Sequence, residues 1–145
     1  MRSIIFRGQR ISDNEWVYGS LVCYYDDITP AICFQTENGN VKVMDWAYVK
    51  PETVGQYTGI KDSKGKNIYE GDVLFIKVGN YLEYNTCVIF ENGAFWTIGE
   101  NTNDHDTLLC AYINPISPLL EVNVIGNIHN NPELLKGDKN EKDNV

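Results

Sequence analysis

A mainly β fold, either a sandwich or a barrel, is what this sequence predicts, and three observations predict it. Short runs rich in Val, Ile, Phe, Tyr and Trp recur at roughly ten-residue spacing with turn residues between them. The pair Asn-Gly stands at 38–39 and again at 92–93, each time between two such runs. Asp62-Ser63-Lys64-Gly65 and the Gly71-Asp72 corner supply further turns between short half-buried strands.

Taken in order, Ile4–Arg7 reads as a first strand and Trp16–Tyr25 as a second, with Gly19 inside it as a bulge or bend. Asp26-Asp27 opens a turn before the third strand, Ala31–Thr36. Asn38-Gly39 joins that strand to Val41–Met44, because a two-residue turn with positive φ at both centres suits Asn and Gly. Lys50-Pro51-Glu52-Thr53 reads as a linker or a short helical turn. Next come Gln56–Ile60 and Lys66–Tyr69, joined by Asp62-Ser63-Lys64-Gly65, with Asp first and Gly fourth in a type I turn. Gly71-Asp72 makes a tight corner before Val73–Val78. Thr86–Phe90 and Ala94–Ile98 form a hairpin about Asn92-Gly93, the clearest local structure in the chain. Leu108–Ile113 fits strand or helix, and Val122–Ile128 is the last strand. Asn131 then caps a short C-terminal helix with Pro132 at its first position, which Gly137 ends within two turns. Residues 136–145 form a polar tail that is expected to be disordered.

Composition sets the class of protein. With 145 residues and 43% hydrophobic content, including nine Tyr, five Phe and three Trp, the chain can fold around its own core without disulfides or metal. It suits one domain, or one domain with a small appended subdomain. The formal net charge is −8 and unevenly spread, for no Lys or Arg occurs in the 58 residues between Lys77 and Lys136. A nucleic-acid binder needs cations to displace the counterions of phosphate. Here only Lys61, Lys64 and Lys66 form a candidate patch, and a solvated turn with charges of both signs explains them better. Met1–Arg10 has no apolar run of signal-peptide length, and no 18-residue apolar stretch spans a membrane. Cys23, Cys33, Cys87 and Cys110 stand singly with no C-x-x-C pair, so buried cytoplasmic thiols are expected rather than a zinc site.

Chemical motifs are sparse. Asp104-His105-Asp106 is the most tempting cluster, but a strand would send His105 to the face opposite both carboxylates. His129 beside the closing turn is expected to cap or pack. Gly59 to Lys66 fails the P-loop pattern, since five residues separate Gly59 from Gly65 and Asn67 stands where Ser or Thr would hold magnesium. Lysines at 64 and 66 equally fail a calcium loop. No cofactor and no metal is implied.

Three segments resemble the YopX family: Ile5-Phe6-Arg7-Gly8 with Glu15-Trp16-Val17-Tyr18-Gly19; the long run from Thr53 to Val73; and Val124 to Leu135. The resemblance implies a protein carried by bacteriophages or prophages, with an SH3-like β-barrel core. It implies no catalytic residues, since the family has no established activity. The fold expected is therefore a β-strand subdomain over residues 1–55, an SH3-like barrel over 56–135 with its short helix, and the tail. Tyr57, Tyr69, Glu70 and Asp72, within the long segment, are candidates to line a groove for a peptide or cationic ligand. Alternatively the tyrosines pack and Asp72 bonds its own turn.

The function expected is a non-enzymatic accessory module that binds a protein partner from host or phage, or forms a homo-oligomer. One alternative is an enzyme whose site assembles across space, around His105 or the Tyr57–Asp72 segment. The other is a nucleic-acid-binding barrel, which the charge opposes.

Overall fold

The computed structural model describes residues 1–24, 29–99, 107–112 and 119–136. Two compact units divide the chain, Met1–Gly59 and Ile60–Val145. Strands dominate both, in two antiparallel sheets.

In the first unit, β1 (Phe6–Gln9), β2 (Trp16–Val22), β3 (Ala31–Asn38), β4 (Val41–Tyr48) and the start of β5 (Gly55–Lys61) lie in the order β4-β3-β2-β1-β5. Alternation decides which face is buried. Val17, Ile32, Ala47 and Val49 form the core, with Phe6, Leu21, Phe34 and Val54 packed on it. β2 pairs with β1 as far as Gly19 and with β3 from Ser20 onward. At that changeover a Cβ on Gly19 would overlap the Cys33 carbonyl, so the close approach of β3 requires glycine. The connection after β1 is stiff: Arg10 N–H donates to Glu15 O (2.8 Å) and Asn14 N–H to Arg10 O (2.9 Å). The turn between β3 and β4 lies one residue beyond the predicted position. Asn38 pairs with Val41, leaving Gly39-Asn40 as the central pair, with Gly39 at φ +63°. Gly at the first centre is the requirement of a type II′ turn, so Asn38 serves as the last residue of its strand. A single 3-10 turn, Pro51–Thr53, leads into β5.

β6 (Asn67–Tyr69) takes the place next to β5 in strand order. The second sheet contains β7 (Asp72–Val78), β8 (Leu82–Glu91), β9 (Ala94–Ile98), β10 (Thr107–Leu108) and β11 (Leu120–Asn127), in the order β10-β9-β8-β7-β11. Its core is Ile68, Leu74, Ile76, Val88, Leu109 and Val122. The predicted hairpin forms about Asn92 (φ +50°) and Gly93 (φ +79°), with Glu91 opposite Ala94. Of Leu108–Ile113, open between strand and helix in sequence, the described residues end β10 at Leu108 and then turn through a 3-10 segment, Leu109–Tyr112.

Three expectations need correcting or restating. Each sheet is open in its strand order, with β10 and β11 at the two edges of the second sheet, so the described residues form no closed barrel. Where a C-terminal helix is expected there is one 3-10 turn, Pro132–Leu135, with Pro132 first. Asn131 gives no side-chain cap; its Oδ1 instead accepts from Asn127 N–H at 3.4 Å, turned back toward a bulge in β11 between Val124 and Gly126. The turn Asp26-Asp27, the cluster Asp104-His105-Asp106 and the tail from 137 on lie outside the described residues.

Candidate functional site

Two local networks account for the residues singled out in the long segment. Asp62 Oδ1 accepts from Lys64 N–H (2.9 Å) and Lys66 N–H (2.8 Å), while Oδ2 accepts from Val124 N–H (3.0 Å). Gly65 N–H closes the predicted turn onto Asp62 O at 3.0 Å, with Gly65 at φ +82°. Burial pushes the Asp62 carboxyl up, but the N–H groups of Val124, Lys66 and Lys64, helped by the Lys66 charge, outweigh it and hold the pKa below the usual value. Its role is thus to staple the turn to β11. At the next corner Asp72 Oδ2 accepts from Tyr69 N–H at 2.8 Å, and Gly71 sits at φ +87°.

Tyr69 and Asp72 are both buried at this corner, and Glu70 is half-buried between them in sequence. Tyr57 is buried in β5 of the first unit. The structure therefore brings Tyr69 and Asp72 together through a backbone bond, the arrangement expected if these residues pack. His129 is half-buried, and its backbone N–H donates to Asn127 Oδ1 at 3.0 Å. Among the described residues no group of three His, Cys, Asp or Glu side chains gathers as metal ligands would. All four cysteines are free thiols, with Cys87 buried and Cys23 and Cys110 exposed.

A different surface, in the first unit, is built for contact. β4 lies at the edge of its sheet, and five of its large apolar side chains are exposed: Val41, Val43, Met44 (67%), Trp46 (54%) and Tyr48. Trp46 and Tyr48, two apart and so on one face, meet edge to face at 4.8 Å. Val41 and Val43 have the opposite parity and project from the other face. Alongside runs a groove of about 490 Å³, between Arg10, Ile11 and Ser12 of the β1–β2 connection and Asp45, Trp46, Ala47 and Tyr48 of β4, with Phe34 as further lining. Arg10 Nε lies 3.6 Å from Asp13 Oδ1, so the connection supplies its own countercharge.

Backbone bonding shows how much of the edge is open. Val49 N–H donates to Pro30 O, on the β3 side, whereas Tyr48 O accepts from Ile11 N–H on the other side. Lys50 N–H donates to Gln9 O, so the end of β4 is tied back to the end of β1. By alternation Lys42, Met44 and Trp46 also turn their N–H and C=O groups away from β3. Trp46 N–H is held by its own neighbour, Asp45 Oδ1, at 2.8 Å. On the side away from β3, the stretch from Val41 to Ala47 has no neighbouring strand among the described residues.

Sequence reasoning ended this strand at Met44 and missed the surface. Val-Lys-Val-Met-Asp-Trp-Ala-Tyr does carry a signal, namely apolar residues at both parities in a strand of one sheet layer.

Among solved structures, protein EF1440 from Enterococcus faecalis is similar to this chain. The two are 21% identical with a TM-score of 0.57, over 94% of this chain and 100% of that one, a likeness of fold. No curated protein matches. Residues 5–136 match the family model described as YopX protein, and with most of its length covered this chain belongs to the YopX family.

Proposed function

We propose that the chain is a non-enzymatic accessory protein of a phage or prophage, working in the cytoplasm by binding protein through β4 and the groove beside it. One observation carries the reading: β4 exposes five large apolar side chains together with a backbone edge that, among the described residues, has no strand beside it from Val41 to Ala47. Exposed edges are commonly blunted by charge, proline or a covering loop; β4 from Val41 to Ala47 has two charges, Lys42 and Asp45, and no proline, and among the described residues no loop bonds along it. A strand with apolar side chains on both faces suits a partner that adds to the sheet.

An SH3-like reading of residues 56–135, with residues 1–55 as a subdomain and 136–145 as a tail, is supported by the route of the second sheet. Four strands meander, a 3-10 segment follows, and the last strand returns to pair with the first of them. Burial supports the packing reading of Tyr57, Tyr69 and Asp72 over a ligand groove.

Affinity capture with the immobilised full chain, from a lysate of the phage-carrying host, tests the contact surface. The wild type should retain a defined protein, a further copy of the chain included, and Trp46→Ala should weaken retention about tenfold or more, as for an aromatic anchor. Retention identical in wild type and Trp46→Ala would sink the reading.

A further inference from the structure

The open length of β4 is complementary to itself, and we propose that two copies of this chain pair antiparallel through β4 about a two-fold axis at Met44. The proposal rests on the contact-surface reading above and names the partner.

Register follows from which groups point outward. Outward N–H and C=O groups belong to Lys42, Met44 and Trp46, so hydrogen-bonded pairs across the axis must join members of that set. A two-fold at Met44 places Met44 opposite its counterpart and Lys42 opposite Trp46 of the second copy, twice, with Trp46 N–H exchanging its bond to Asp45 Oδ1 for one to the Lys42 carbonyl across the axis. It also overlaps the whole stretch from Val41 to Ala47, whose midpoint is Met44. A two-fold at Asp45 would oppose two carboxylates directly. A two-fold at Val43 would set Ala47 against Gly39 in the turn and shorten the paired length.

Charge agrees with this register. The chain carries −8 overall and repels itself at long range, yet the paired strand holds one Lys and one Asp and is neutral. Across the axis each Lys42 meets the exposed Trp46 ring of the other copy, a cation–π arrangement. On the opposite face Val41 meets Ala47. Side chains on both faces of β4 thereby gain cross-strand neighbours, which docking on one face alone would not achieve.

Area sets the strength. An added strand flanks the exposed side chains of Val41, Val43, Met44 and Trp46 without capping them, so the area removed falls below the roughly 1,600 Å² of a standard interface. The dimer is therefore concentration-dependent.

Sedimentation of the full chain over a range of concentrations tests the proposal. The wild type should pass from monomer to dimer as concentration rises. Met44→Glu and Met44→Lys should each weaken dimerisation about tenfold or more, because each sets like charges against one another on the axis. Mixing the two variants should restore a dimer, which only a residue facing its own counterpart can do. Far-UV spectra of both variants should match the wild type, since Met44 is exposed in the single chain. A wild type that stays monomeric, a dimer indifferent to both substitutions, or no rescue on mixing would overturn self-pairing. If the monomeric wild type still captures another protein through Trp46, the contact-surface reading stands without it; if it captures nothing, both fall.

Discussion

Gly19 and Asp62 show how single residues set this fold. At Gly19 the β3 backbone fills the space a side chain would need, and backbone cannot yield as a flexible side chain can. Gly19→Ala should therefore cost about 1–3 kcal/mol, the usual range for overpacking, read as a lowered midpoint in urea unfolding. Asp62 acts through charge. Its folded pKa lies below the unfolded one, so its contribution is fully present above the ordinary carboxylate range and is lost as pH falls through the lowered folded value. Asp62→Asn keeps the shape but loses the charged acceptor, and should cost about 1–3 kcal/mol at neutral pH. The difference from wild type should shrink as the solution is acidified. A constant difference from neutral pH down through the acid range would show that the carboxylate charge contributes nothing.

Among the elements, those closed by local chemistry were legible in the sequence. Asn92-Gly93 places positive φ at both turn centres, and the hairpin forms where predicted. Gly93→Ala, at φ +79° with open space around it, should cost about 1–2 kcal/mol through backbone strain alone. A thermal midpoint equal to wild type would mean that the turn relaxes. Asp62-Gly65 and the Gly71-Asp72 corner were legible for the same reason, since side chain, turn and strand lie within a few residues. Legibility fails where the partner is distant in sequence. Nothing near Asn38 announces that it will serve as a strand end opposite Val41. The bond from Asn85 Nδ2 to Leu134 O, 49 residues away, is equally silent. The C-terminal segment had a proline at the right place for a helix, but Leu134 packs against Gly126 at the β11 bulge and the helical turn is a 3-10 turn that ends at Leu135. β4 was underestimated because a polar Asp45 interrupts its apolar run, and only the structure shows that carboxylate turned onto Trp46 N–H.

For the whole molecule, charge excludes more than it assigns. Lys61, Lys64 and Lys66 are exposed on one turn, and three lysines release few counterions. Labelled random duplex and single-stranded DNA should show no change in anisotropy at micromolar protein and physiological salt. Binding that weakens when these lysines become Glu would promote a nucleic-acid role instead. Among the described residues the fold offers an open sheet edge, and whether that edge is covered in solution can be read amide by amide. Hydrogen exchange at Lys42 and Met44, whose N–H groups point away from β3, should be slow in concentrated wild-type protein. It should become fast on dilution and in Met44→Glu, while Val43, turned toward β3, stays protected throughout. Fast exchange at Lys42 and Met44 at every concentration would contradict a β4 edge that pairs with a second copy.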